Sequence, residues 1–413
     1  MHSRLLQVLP SVIRQTNSDL ELDADFCDGL RLYLDNFEIV TVACSITTDL
    51  FNSGLRRCRP LKELPWRQRL KIIPLPHAYH PRDFLKYYRS VSSILRAEIL
   101  ESDYLVASPH SLFGDWPTVA IREAVKLNKP YTLDADVVYE EVARVGWTDE
   151  PSWKRFVKEN VVLPLFRRAY RRSLRESRLA LLQGQDVYDA YSGFAPNAHK
   201  VYHMPISSKD YISDSELEEK VSNLNGRRPL KLCYVGRAIE MKGPLDWLKV
   251  VRELHHRGVE IVASWFGDGS LLSQMRQEAD TTGIANIVKF VGYVSNREEI
   301  MAALKGSDIF LFCHKTPESP RCLIEALVSG CPLIGYASAY PKELTAQFGG
   351  GRYTAIGDWR GLADHIAGLD KNRNELRDLI VSASKTGRLY EQDATMQQRI
   401  DLIKQYCGYG RRL

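Results

Sequence analysis

Long hydrophobic runs are missing from this 413-residue chain. No apolar stretch reaches the roughly 18 residues that a helix needs to cross a bilayer. The amino-terminal residues show no basic-then-apolar leader pattern. The expectation is a cytoplasmic protein that does not span a membrane. Charge of one sign is scarce too: 56 Lys and Arg against 51 Asp and Glu leave a net charge of +5. That excess is too small to imply nucleic acid, and no nucleic-acid-binding motif is present. Cysteines in metal or redox spacing are absent. The eight cysteines (Cys27, Cys44, Cys58, Cys233, Cys313, Cys322, Cys331, Cys407) form no CxxC, and several lie in apolar runs, as reduced core thiols do. No aspartate pair offers metal-ligand spacing, so no essential metal is expected. The first strand, Leu5 to Leu9, ends on Pro10 without a glycine-rich turn, so a GxGxxG dinucleotide loop is excluded there. No short-period repeat or low-complexity tract occurs.

What is present is an alternation of short apolar strands and amphipathic helices, too long for one core. The pattern predicts strands over residues 5–9, 38–44, 71–75, 103–107, 130–134, 179–182 and 201–204. Helices are predicted over 26–36, 81–100 and 116–126, and a basic, proline-punctuated surface loop over 50–70. Residues 206–228 are polar without a buried pattern and read as a linker. The same logic then restarts from Leu230 and runs to a last helix, about Asp393 to Tyr406. Strand–helix alternation of this kind marks parallel sheets with helices on both faces. The class is α/β, with doubly wound domains at 1–205 and 229–390.

The chemistry concentrates between Cys313 and Tyr336. Ile309 to Phe312 reads as a buried strand and His314 to Arg321 as a loop broken by Pro317 and Pro320. A helix then runs from Cys322 until Gly330 stops it. Glu318 and Glu325 frame that loop at a strand end, where ligands of parallel sheets bind. Carboxylates there can accept from paired sugar hydroxyls, and helix-start amides can hold an anion. Upstream, Gly236 ends a strand, and Arg237 and Lys242 follow before a helix that begins near Gly243. Two cations there suit a diphosphate, each contact worth about 1.5–3 kcal/mol. The blander alternatives are a turn with two solvated cations and two surface carboxylates beside a helix dipole. Gly267-Asp268-Gly269 and Gly292-Tyr293-Val294 are weak signals singly. Their order along successive strand ends is what carries weight.

The segments YVGRAIEMKG, WFGDGSLL, VKFVGYVS, SDIFLFCHKTPESPRCLIEALVSGCPLIGY and GDWRGLADHI together resemble the retaining family 4 glycosyltransferases (group 1 glycosyl transferases). The resemblance is clear over 229–370 and much weaker over 1–205. It implies the GT-B fold: two Rossmann-like doubly wound domains facing a central cleft, an acceptor-binding one at 1–205 and a nucleotide-sugar-binding one at 229–390. Residues 391–413 would cross back to the first domain. It implies donor-binding roles for Gly236, Arg237, Lys242, Gly267, Tyr293, Val294 and Glu325. Arg237 and Lys242 would meet the diphosphate, Glu325 the ribose hydroxyls, and Tyr293 and Val294 the base. Glu318 would face the donor sugar.

This chain departs from the family in places. Six residues separate Glu318 from Glu325 where the family has seven, and Pro320 and Arg321 replace small glycines. Arg321 is expected to add a contact to phosphate or donor sugar. The family's amino-terminal histidine has a candidate in His110 of SPHS; Asp134 and Asp136 of TLDADVV stand near another such position. A locally bonded loop histidine and a loop carboxylate or helix cap are the alternatives.

The implied activity is that of a hexosyltransferase-type enzyme. It would move a sugar from a nucleotide-diphosphate donor to a hydroxyl acceptor, with retention, in lipid-linked glycan or polysaccharide biosynthesis. It would need no cofactor beyond the nucleotide sugar. A nucleotide-sugar epimerase or phosphorylase on the same fold, or a non-catalytic scaffold that binds nucleotide sugars, stays open. Between 151 and 178, Arg167, Arg168, Arg171, Arg172, Arg175 and Arg178 recur at helical spacing. They form either a solvated face or a patch for anionic lipid at the inner face of a membrane, at about 1 kcal/mol per arginine.

Overall fold

The computed structural model describes residues 3–408 except 17–18, 49–57, 79, 112–114, 148–150, 203–205 and 225–227. The chain divides into two compact units: residues 1–140, 150–205 and 393–413 form one, and residues 141–149 and 206–392 the other.

Nine strands build the sheet of the first unit among the described residues: β1 (Arg4–Gln15), β2 (Leu20–Asp23), β3 (Ile39–Thr47), β4 (Cys58–Pro60), β5 (Leu70–Leu75), β6 (Tyr104–Ala107), β7 (Thr132–Ala135), β8 (Leu179–Gln183) and β9 (Ala198–Val201). The parallel order is β5-β3-β1-β6-β7-β8-β9, with β2 and β4 antiparallel at the far end of β1. Side chains alternate between two cores, as the strand period of two requires. Leu6, Val8, Ala180 and Leu182 face helices Pro81–Glu101, Trp116–Lys126 and Leu163–Glu176. Leu5, Val40, Leu179 and Leu181 face helices Ala24–Asn36 and Gln392–Cys407. The last helix belongs here because Met396, Ile400, Ile403 and Cys407 form one buried stripe.

The second unit is a six-stranded, all-parallel sheet: β10 (Leu230–Val235), β11 (Ile261–Phe266), β12 (Val288–Gly292), β13 (Ile309–Phe312), β14 (Leu333–Tyr336) and β15 (Gly351–Thr354). Its order, β12-β11-β10-β13-β14-β15, reverses between β10 and β13. Such a switch point opens a crevice at the carboxyl ends of the strands.

Some expectations change. The polar stretch 206–228 is not a bare linker. It contains helix Asp214–Ser222, started by a Ser213/Glu216 capping box, and lies within the second unit. Its Lys220 is buried and donates to the Ser329 carbonyl at 3.1 Å. The capping box starts the helix, and Leu217, Val221 and Leu224 form a short apolar stripe among its charged residues, with Leu224 buried. β1 runs past Pro10 to Gln15, because its register shifts between Val8 and Val12 and so accommodates the missing proline N–H. In the basic loop, residues 50–57 lie outside the described residues; two 3-10 turns and strand structure follow them. The strand expected over 201–204 ends at Val201, and 203–205 lie outside the described residues. No described helix is long and apolar enough to cross a membrane. All eight cysteines are free.

Candidate active site

The tips of β10, β11 and β12 are laced together by backbone. Gly236 N–H donates to Phe266 O at 2.9 Å, Gly267 N–H to Gly292 O at 2.8 Å, and Ala238 N–H to Asp268 O at 2.9 Å. Gly267 has φ of 144°, and a Cβ on it would collide with the Gly236 carbonyl oxygen. Only glycine lets these two loops lie so close. Gly243 (φ 62°) starts helix Pro244–His256, and a Cβ there would strike the Cys313 carbonyl oxygen. The Glu240–Lys242 turn is thus pressed against the exit of β13, where Lys315 N–H donates to Met241 O at 2.8 Å.

That contact sets the charged side chains. Lys242 is buried, and its Nζ lies 2.6 Å from Glu318 Oε1; the two side chains are 11% and 10% exposed. His314 Nδ1 is 3.9 Å from the same carboxylate oxygen, and His314 Nε2 shares a 2.8 Å hydrogen bond with the Tyr234 hydroxyl. Burial, then the Lys242 charge, hold the His314 imidazole well below its ordinary value, so it is neutral near pH 7. Glu325, on helix Arg321–Val328, accepts from Arg297 Nη1 at 2.6 Å. Burial pushes the Cys322 thiol up to about 12, and Lys242, Glu325 and Glu318 all act on it. Cys322 itself stands between the two glutamates in sequence, one residue into helix Arg321–Val328. Arg237 is exposed, and it and Glu318 both act on the buried Tyr234 hydroxyl. Tyr293 is 43% exposed just past β12, Val294 is half-buried beside it, and Arg321 is exposed at its helix start. The structure brings Gly236, Arg237, Lys242, Gly267, Glu318 and Glu325 to one sheet edge, with Tyr293 and Val294 at the next strand exit.

His110 and Asp134 belong to the first unit. They line a cavity of about 240 Å³ with Gln7, Tyr33, Asp136 and Arg399. The His110 ring is exposed at its rim, edge-on to Tyr139 at 5.2 Å, and its backbone N–H donates to Asp115 at 3.0 Å. Loss of solvent on the ring's cavity side lowers the imidazole pKa, against the opposing pull of Asp136. Asp134 accepts from the buried Arg399 at 2.7 Å and is neither a helix cap nor an isolated loop carboxylate.

The sequence reading did not single out Tyr234, Arg297, His314 or Arg399. His314 had a signal: it stands four residues before Glu318, directly after a buried strand. Arg399 had another, as a charge on the otherwise apolar stripe of the last helix. Nor do the arginines of helix Leu163–Glu176 make one free face. Arg167 pairs with Glu140 at 2.9 Å, Arg172 with Glu176 at 2.8 Å, and Arg171 lies 4.4 Å from the Phe194 ring centre. The exposed feature is apolar: Trp153, Phe156, Val157, Val161 and Leu165, with Trp153 and Phe156 each 66% exposed.

Two Rossmann-like units of this topology define the GT-B fold. The chain aligns with the crystal structure of Anabaena HepE in complex with UDP at a TM-score of 0.66, with 15% identity, over 97% of this chain and 98% of that one. It aligns equally with WaaG, a glycosyltransferase involved in lipopolysaccharide biosynthesis (TM-score 0.66, 13% identity, 96% and 99% covered). Residues 215–386, which hold Arg237, Lys242, Glu318 and Glu325, match the family model described as glycosyl transferases group 1. A curated relative is the UDP-N-acetylglucosamine–peptide N-acetylglucosaminyltransferase GtfA subunit of Streptococcus pneumoniae, 23% identical over 172 residues, 41% of this chain and 32% of that protein. The chain spans about a third of the length of the first curated relatives it matches.

Proposed function

We propose that this chain is a retaining glycosyltransferase of the hexosyl type. It would transfer a sugar from a nucleotide-diphosphate donor, held by the second unit, to a hydroxyl acceptor. The observation that carries this reading is the buried Lys242–Glu318 pair, 2.6 Å apart, at the carboxyl ends of parallel strands β10 and β13, with Glu325 on the helix that follows and an exposed Arg237 just past β10. Arg237 and Lys242 meet the diphosphate and stabilise the charge that grows as the sugar leaves. Glu325 receives the ribose hydroxyls, and Glu318 faces the sugar. The bond from the anomeric carbon to the β-phosphate oxygen breaks. The acceptor oxygen bonds to the same face of that carbon, and the acceptor proton leaves with the nucleotide. The two cations supply the positive charge, so no metal and no further cofactor enter. Support comes from the family match over 215–386 and from HepE, whose crystal structure holds UDP.

The cavity around His110 and Asp134 is the acceptor site in this reading, and a lipid-linked glycan or polysaccharide precursor is the acceptor class. WaaG, named for lipopolysaccharide biosynthesis, supports that class. The exposed apolar stripe from Trp153 to Leu165, with Lys154, Arg155 and Lys158 beside it, fits contact with an anionic bilayer better than the arginine face does. The testing experiment has two stages. A thermal-shift screen against UDP-, GDP-, ADP- and dTDP-sugars finds the donor. Mass spectrometry and NMR of the product with a lipid-linked acceptor then read transfer and anomeric configuration. Donor hydrolysis or epimerisation with no acceptor adduct would replace transferase by one of the rival activities.

A further inference from the structure

Arg297 is oddly placed for a cation. It is the first residue of helix Arg297–Lys305, where the helix dipole disfavours positive charge. Its Nη2 is buried without a hydrogen-bond partner among the described residues. A guanidinium in such a place needs compensation, and two carboxylates provide it. Nη1 donates to Glu325 Oε1 at 2.6 Å, and Nε lies 3.5 Å from Asp210 Oδ1. Asp210 is itself fixed, its Oδ2 accepting from the Ser207 N–H at 2.8 Å. The chain Ser207–Asp210–Arg297–Glu325 therefore ends on the carboxylate assigned to the ribose. Only Oε1 of Glu325 is engaged by Arg297; Oε2 accepts no hydrogen bond from the described residues.

We propose that Arg297 is a positioning residue for ribose recognition. It holds Glu325 by one oxygen and presents the other to the vicinal hydroxyls of a ribonucleoside diphosphate. Asp210 is its anchor. The proposal rests on the nucleotide-sugar reading, but it can fail separately. A carboxylate pinned at one oxygen loses less freedom when a diol arrives, so the gain from the 2′-hydroxyl is larger.

The test is calorimetric titration of wild type, Arg297→Met, Arg297→Lys and Asp210→Asn. The probes are UDP, GDP and ADP, their 2′-deoxy counterparts, and inorganic pyrophosphate. Wild type is expected to prefer the ribonucleotide about tenfold or more, as one hydrogen bond to a charged group gives. In Arg297→Met that preference should fall to about twofold or less while pyrophosphate affinity holds. Arg297→Lys, which keeps the charge, should retain part of it. Asp210→Asn should lie between wild type and Arg297→Met. Should Arg297→Met fail to fold, Arg297→Lys carries the test, with at least a threefold drop in the ratio expected. An unchanged ratio in the variants, or equal loss of nucleotide and pyrophosphate, would overturn the proposal, the latter marking a purely structural role. A wild type that binds nucleotide without ribose preference overturns it alone. A wild type that binds none of the probes removes the nucleotide reading and this inference together.

Discussion

Glu318→Gln should separate binding from turnover. In the structure the Lys242 ammonium is already engaged, 2.6 Å from Glu318, and both groups are nearly out of solvent. A diphosphate that reaches Lys242 must share it with that carboxylate. The amide keeps the shape and one acceptor oxygen but removes the competing charge. A hydrogen bond to a charged group is worth about 1.5–3 kcal/mol, and a neutral one about 1. The difference returned to the phosphate is thus about 1 kcal/mol, or about fivefold in Kd. Glu318→Gln should therefore bind the nucleoside diphosphate about fivefold more tightly, while sugar transfer falls by at least tenfold because the group facing the sugar has lost its charge. The fold pays for this with a weakened buried pair, so Tm should drop by several degrees, as about 1–3 kcal/mol implies for a unit of this size. Calorimetric titration of UDP, or whichever nucleotide the screen selects, reads the affinity; product formation reads the rate. Weaker nucleotide binding in a folded Glu318→Gln protein would refute the competition between Glu318 and phosphate for Lys242.

Arg237→Ala and Lys242→Ala should each weaken nucleoside diphosphate binding about 10- to 100-fold, as one charge-assisted contact implies; unchanged calorimetric affinity in both would remove the phosphate assignment. Gly267→Ala should lower Tm measurably and abolish nucleotide binding, since its methyl meets the Gly236 carbonyl; a normal melting curve with normal binding would contradict that. Asp115 is raised to about 6, chiefly by burial, against hydrogen bonds from Thr118, His110 and Ser111 that lower it. The folded chain therefore holds its proton longer than the unfolded chain does. Stability from this group is present below the ordinary carboxylate range and lost as pH rises to about 6. Asp115→Asn should flatten the pH dependence of Tm between about pH 4 and 6, and an unchanged slope would count against it. The double variant Trp153→Ser, Phe156→Ser should lose co-sedimentation with anionic vesicles at low salt and keep its Tm; retained co-sedimentation would end the membrane reading.

Much of the second unit was legible because its information is local. Leu230 to Val235 and Ile309 to Phe312 are apolar runs that end on chemistry-bearing loops, and parallel strands buried on both faces look like that. The edge where Gly236, Gly267, Glu318 and Glu325 meet follows once those strands are parallel. What resisted reading was pairing at a distance. Lys242 and Glu318 are 76 positions apart, Tyr234 and His314 80, and Arg297 and Glu325 28. No spacing rule joins such residues; the order of strands in the sheet does. The first unit hid more for a similar reason. Asp134 meets Arg399 from the far end of the chain, 265 positions away. Arg167 turns to Glu140, which depletes a face that helical spacing alone presents as basic. The helix in the supposed linker escaped because its apolar stripe is only Leu217, Val221 and Leu224, set among charged residues, and its capping box was not read.

The most direct measurement is one titration: nucleoside diphosphates, starting with UDP, into wild type, Lys242→Ala and Glu325→Ala under the same salt and pH. A single saturable site in wild type, weakened at least tenfold by each substitution in folded protein, is the expected result. Binding that both substitutions leave intact, or no binding of UDP, GDP, ADP or dTDP by wild type, would contradict the assignment of this strand-end site to a sugar nucleotide.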